Sequence, residues 1–175
     1  LGHMMAITYA NGNETAYRDF NGGIRTMEYD SRGNVTRFTD PLGNVYSYAY
    51  DSSDNLLSET NPLGDEWKYS YDGKGNLIKT ISPLGYETTM TYDNKGQMVG
   101  ITDANGKATG YVYDDFGNIT KITDALGKFT TMTYDALGFH MLSSTDGIGN
   151  RTERAYDNNG RVTKIIYPDN TFKSF

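Results

Sequence analysis

From Val45 to Tyr50, and again from Glu66 to Tyr71, side chains alternate along the chain. Tyr46, Tyr48 and Tyr50, then Trp67, Tyr69 and Tyr71, fall on one side of an extended strand, while Glu66, Lys68 and Ser70 fall on the other. Thr88, Met90 and Tyr92, then Thr109, Tyr111 and Tyr113, then Thr130, Met132 and Tyr134 continue the first side. A period of two that is rich in aromatic and β-branched residues predicts strands that bury one face. The segments that follow are less regular: Val35 and Phe38, Met98 and Ile101, Ile119 and Ile122, and Val162 and Ile165 stand three apart. A β-bulge beside the turn glycine is expected to bring both members of each pair onto one face.

Turn signals separate these segments at a fixed interval. The dipeptide Tyr-Asp recurs with its tyrosine at 29, 50, 71, 92, 113, 134 and 156, so the step is 21 residues until the last, which is 22. Asp30, Asp51, Asp72, Asp93, Asp114, Asp135 and Asp157 are followed three residues later by Gly33, Asp54, Gly75, Gly96, Gly117, Gly138 and Gly160. A second signal lies between them, with Asp40 before Gly43, Asn61 before Gly64, Ser82 before Gly85, Asp103 before Gly106, Asp124 before Gly127 and Asp146 before Gly149. Asp, Asn or Ser at the first position bonds the backbone two residues on, Pro41, Pro62 or Pro83 presets the second position, and glycine takes the left-handed fourth. Each period therefore predicts two turns and two strands of roughly six or seven residues. Connections this short cannot hold helical crossovers, which leaves an antiparallel meander. The expected fold is all-β: 21-residue hairpins in a single layer that twist and coil into an arc or partial spiral, with open edges suited to self-association.

Composition narrows the function. Fifteen tyrosines against seven phenylalanines make tyrosine the main packing residue. A net charge of −6 opposes a phosphate-binding footprint, so neither nucleic acid nor an anionic membrane is expected as a partner. Without cysteine there is neither a disulfide framework nor a thiol nucleophile. Ser and Thr lie on strand positions with no histidine base, and His140, alone outside the first four residues, reads as a bulge residue rather than a metal ligand. The repeated aspartates are explained as turn formers, so no catalytic residue, metal or cofactor is assigned. Rows of Tyr and Trp stabilise a one-layer sheet by stacking across strands, and they also suit sugars or an unfolded chain. Tyr46, Tyr48, Trp67, Tyr69 and Tyr111 are the candidates for that face. Leu1 to Met4 read as the remnant of an expression tag.

The unit running from Asp40-Pro41-Leu42-Gly43-Asn44 through Tyr50-Asp51, with Gly75-Asn76-Leu77 in the next copy, resembles the YD repeat of the Rhs (rearrangement hot spot) proteins. The resemblance implies a tandem array over residues 17–175, seven repeats truncated at both ends, preceded by a loosely matching repeat at 5–16. It also implies a non-catalytic role in a secreted or cell-surface bacterial protein, as part of the wall of a β-shell around a C-terminal toxin. The family's self-cleaving carboxylates and variable toxin tip are not seen, so the chain reads as a middle piece. The implied partners are neighbouring repeats and an enclosed toxin polypeptide. Carbohydrate or protein binding on a cell surface is the alternative, with a cell-surface glycan as ligand, and an adhesive spacer is a third reading. Departures from the pattern are Asp54 in place of glycine and the extra residue within Gly138-Phe139-His140-Met141.

Overall fold

A computed structural model of the chain describes residues 6–10, 12–19 and 21–175, so the proposed tag remnant lies outside the described residues. From Asp19 onwards the turns close in the same way, except that the one at Asp135 holds an extra residue. At Asp72, the N–H of Gly75 donates to the Asp72 carbonyl at 3.0 Å and the Asp72 N–H donates to the Asn76 carbonyl at 2.9 Å. The Asp72 carboxylate accepts from the N–H groups of Lys74 and Asn76 and from the Asn76 side-chain amide. The turn that begins at Asp40, on the Pro-Leu-Gly side, repeats this set with Leu42 and Asn44. The fourth residue must be left-handed, with φ of 85° at Gly75 and 84° at Gly43. This is a type I turn followed by a left-handed residue, the three-residue hairpin loop whose twist matches that of its strands.

The chain divides into two compact units, Leu1–Thr88 and Thr89–Phe175. In the first, β1 (Ala6–Ala10), β2 (Asn13–Arg18), β3 (Ile24–Tyr29), β4 (Val35–Thr39), β5 (Val45–Tyr50), β6 (Leu56–Thr60), β7 (Glu66–Tyr71) and β8 (Leu77–Ile81) pair in chain order, each antiparallel to the next. The boundary falls inside β9 (Glu87–Tyr92). In the second unit, β9 from Thr89 onwards pairs with β10 (Met98–Thr102). β11 (Ala108–Tyr113), β12 (Ile119–Thr123), β13 (Phe129–Tyr134), β14 (Met141–Asp146), β15 (Arg151–Tyr156), β16 (Val162–Ile166) and β17 (Phe172–Ser174) follow as a second meander. The described residues form no helix. Six-residue strands lead into the Tyr-Asp turns and mostly five-residue strands leave them, shorter than the six or seven expected because turn and bulge each absorb residues.

The bulge recurs at one place, which is not beside the glycine. Glu28 pairs with Arg37 and Tyr29 with Val35, so Thr36 is the extra residue, three positions past Gly33. Leu57 and Ile78 are skipped in the same way opposite Tyr50 and Tyr71, as are Val99, Thr120, Leu142 and Thr163 in the second unit. The skipped residue turns Val35 and Phe38 onto one face, which accounts for the spacing of three. Within each unit strands touch only their sequence neighbours, and among the described residues no apolar side chain is fully buried. Ser143 is the one buried residue among those described, its hydroxyl 2.8 Å from that of Thr133 on the paired strand.

Candidate functional site

The register places tyrosines and aliphatic residues alternately along one row. In the first unit the row reads Tyr29, Val35, Tyr50, Leu56, Tyr71 and Leu77; in the second it reads Tyr92, Met98, Tyr113, Ile119, Tyr134, Met141, Tyr156 and Val162. Each Tyr-Asp tyrosine also carries a polar tip, and several tips are satisfied in one way. Tyr29 Oη donates to the Glu14 carbonyl, Tyr113 to that of Met98, Tyr134 to that of Ile119 and Tyr156 to that of Met141, at 2.6 to 3.0 Å. Every acceptor lies 15 residues earlier, one repeat back. The ring buries its body in the row while the hydroxyl ties consecutive hairpins together.

The adjacent aspartate serves the turn. Hydrogen bonds hold the turn carboxylates of Asp40, Asp51 and Asp72 below the ordinary carboxylate range, led by the side-chain amides of Asn44, Asn55 and Asn76. At Asp135 the leading donor is His140, whose Nδ1 lies 2.6 Å from Oδ2. The extra residue makes Asp135 N–H reach the His140 carbonyl, so the imidazole stands where asparagine stands elsewhere, and its ring packs on Tyr156 at 4.6 Å between centroids. Asp54 adopts φ of 65°, and its carboxylate accepts from Asn34 and pairs with Arg32, each at 2.6 Å. The missing glycine is thus replaced by a link between successive turns.

Four of the five aromatic candidates come together, and Tyr111 does not: it faces Ile122 in the second unit. Tyr46, Tyr48 and Trp67 line a cleft of about 170 Å³ with Glu59, Thr60 and Asn61. Glu59 sits between Tyr48 on β5 and Trp67 on β7, directly opposite each, and Tyr69 Oη donates to its Oε1 at 2.6 Å. Burial, together with the hydrogen bond and charge of Glu59, pushes the Tyr69 hydroxyl up to about 12. Burial and then Glu59 raise Tyr48 as well. The sequence pattern did not single out Glu59, because simple alternation does not tell which face a residue beyond the bulge takes. Among the described residues no group of acids and histidines could hold a metal ion. The turn residues, including Asp30, Asp93, Asp114, Gly64, Gly85, Gly96, Gly117 and Gly127, lie at hairpin ends, and of the turn-opening residues Asn61 also lines the cleft.

The profile of the family described as RHS Repeat matches residues 29–66, 50–86, 71–109 and 113–139, more than half of the chain. The chain belongs to the RHS repeat family. No curated protein matches it. Among solved structures, a Photorhabdus luminescens Tc holotoxin pore aligns over 86% of the chain at 20% identity, with a TM-score of 0.68. Crystal structures of TcdB2-TccC3-Cdc42 and of TcdB2-TccC3 align over the same share at the same identity, with TM-scores of 0.67 and 0.66. The RHS repeats here span about 9% of the length of those chains, and the likeness is one of fold. Antiparallel hairpins in tandem are the structural role this chain carries as an RHS repeat protein.

Proposed function

We propose that these RHS repeats form part of the wall of a shell that encloses a toxin polypeptide in a secreted bacterial protein, with a mechanical and not a catalytic role. The carrying observation is a meander in each unit with no fully buried apolar side chain among the described residues, a sheet built to separate two spaces rather than to fold around a core of its own. The likeness in fold to chains of the TcdB2-TccC3 complexes supports the same reading. Residues 17–175 form the repeat array and 5–16 a divergent first repeat, while 1–4 belong to a tag. The array's partners are the neighbouring repeats and the enclosed polypeptide, with neither nucleic acid nor membrane. Open strand edges allow copies of the chain to associate.

The test is protease digestion of the full-length parent protein. Peptides from the segment that follows the repeats should survive while the wall is intact, and should be cut once tyrosine-to-phenylalanine changes at 113, 134 and 156 loosen it. Equal digestion in both proteins sinks the reading. A second reading, a carbohydrate- or protein-binding module of a cell-surface protein, rests on the cleft of Tyr46, Tyr48 and Trp67. A glycan array and titration test its carbohydrate form: saturable binding lost in Trp67→Ala with the fold intact supports it, and no binding removes that form.

A further inference from the structure

The position of Glu59 is occupied by uncharged residues in the other Tyr-Asp repeats: Thr80 and Ser144 in two of them and apolar residues in four. Phe38, Ile101, Ile122 and Ile165 each stand at the corresponding place on the strand leaving the turn, paired with Met27, Met90, Tyr111 and Arg154 on the strand before. The hairpin therefore forms without a carboxylate there, and with Glu59 it carries an ionised group on its aromatic face. Placing a charge among half-buried rings costs free energy unless hydrogen bonds or an opposite charge compensate it. Tyr69 supplies one hydrogen bond, to Oε1. Among the described residues no lysine, arginine or histidine forms an ion pair with Glu59.

We infer that the cleft on β5, β6 and β7 is a binding site for an arginine side chain of a polypeptide. Charge complementarity selects a cation, and the walls select its shape. Tyr48 and Trp67 flank the carboxylate on either side, and tryptophan gives the strongest cation–π face of the aromatic residues. A guanidinium is planar, stacks on rings, sheds its hydration more easily than an ammonium, and presents paired N–H donors that match a carboxylate. A sugar would also stack on Trp67, but it would leave the negative charge of Glu59 without a counter-charge. The inference deepens the binding reading by naming what that cleft takes.

Trp67 is the chain's single tryptophan, so its fluorescence reports on this cleft alone. The 175-residue chain is titrated with a blocked tripeptide of arginine between two glycines, with the lysine version, and with the version carrying citrulline, the neutral isostere of arginine. The glycans that score highest on an array are titrated in parallel. Arginine should produce a saturable change, and citrulline should bind at least about tenfold more weakly. Glu59→Gln should lower arginine affinity by a similar factor. Glu59→Ile, the residue type of other repeats, should abolish binding while the far-ultraviolet circular dichroism stays unchanged, which separates loss of the site from loss of the fold. No saturable change with arginine, or equal binding of citrulline, overturns the inference. If a glycan binds and arginine does not, the inference fails and the carbohydrate form of the binding reading stands; if neither binds, both fail.

Discussion

Tyr113 and Tyr134 each hold a carbonyl fifteen residues behind them, so phenylalanine at either position isolates the hydroxyl from the ring. The ring stays in its row, and the Met98 or Ile119 carbonyl loses a donor. Tyr113→Phe and Tyr134→Phe should each lower stability by about 1 kcal/mol in urea unfolding, the net worth of one such bond. Asp54 tests the opposite case, because a left-handed backbone costs a non-glycine residue about 1 to 2 kcal/mol while an exposed ion pair returns about 0 to 1. Asp54→Gly should therefore raise the urea midpoint slightly. Asp54→Ala should lower it, since alanine keeps the strain and loses Arg32 and Asn34. At Tyr69 the hydroxyl should titrate near 12 when followed by ultraviolet absorbance, and Glu59→Gln should move it down, because the carboxylate opposes a phenolate beside it. An unchanged Tyr69 titration in Glu59→Gln would show that burial alone sets it.

Hairpins are the elements of this chain, and their turn carboxylates make them sensitive to acid. Side-chain hydrogen bonds from asparagine hold the aspartates at 40, 51, 72 and 146 below the ordinary carboxylate range, so folding favours their ionised form. Their contribution is complete above the carboxylate range of the unfolded chain and is lost as pH falls through their lower folded values. Stability should accordingly drop steeply below about pH 4. Asp72→Ala should lower stability at neutral pH and reduce the steepness of that drop; a profile as steep as the parent's would mean the turns do not drive it. Hairpin organisation was legible in the sequence because D-x-x-G spells the turn and alternation spells the incoming strand. The bulge was legible too, from the spacing of Val35 and Phe38, but not its position three residues past the glycine. That shift hid Glu59: from Leu56 it skips Leu57 and returns residue 59 to the aromatic face, where unbroken alternation from Leu56 would put residue 58. The tyrosine hydrogen bonds were also hidden, since a separation of 15 acquires meaning only once strands are in register.

For the molecule as a whole, each hairpin leans only on its neighbours within a unit, so its length should be adjustable in whole periods. Deleting residues 51–71 joins Tyr50 to Asp72 and leaves an intact Tyr-Asp turn, with Tyr50 now opposite Leu77 instead of Leu56. Strand direction, facing and bulge phase are all kept, because 21 residues contain one incoming strand, one outgoing strand and both turns. Stability in such arrays is close to a sum of repeat and nearest-neighbour terms, so the shortened chain should fold with the same circular dichroism per residue and a modestly lower urea midpoint. Deleting residues 51–60 instead joins the end of one incoming strand to the turn that precedes the next. Two strands of the same kind then pair directly, and the skipped residue opposite Tyr50 is lost along with Leu56. That chain should lose cooperative unfolding and expose apolar surface to a hydrophobic dye. If both deletions fold equally well, the 21-residue hairpin is not the unit of structure.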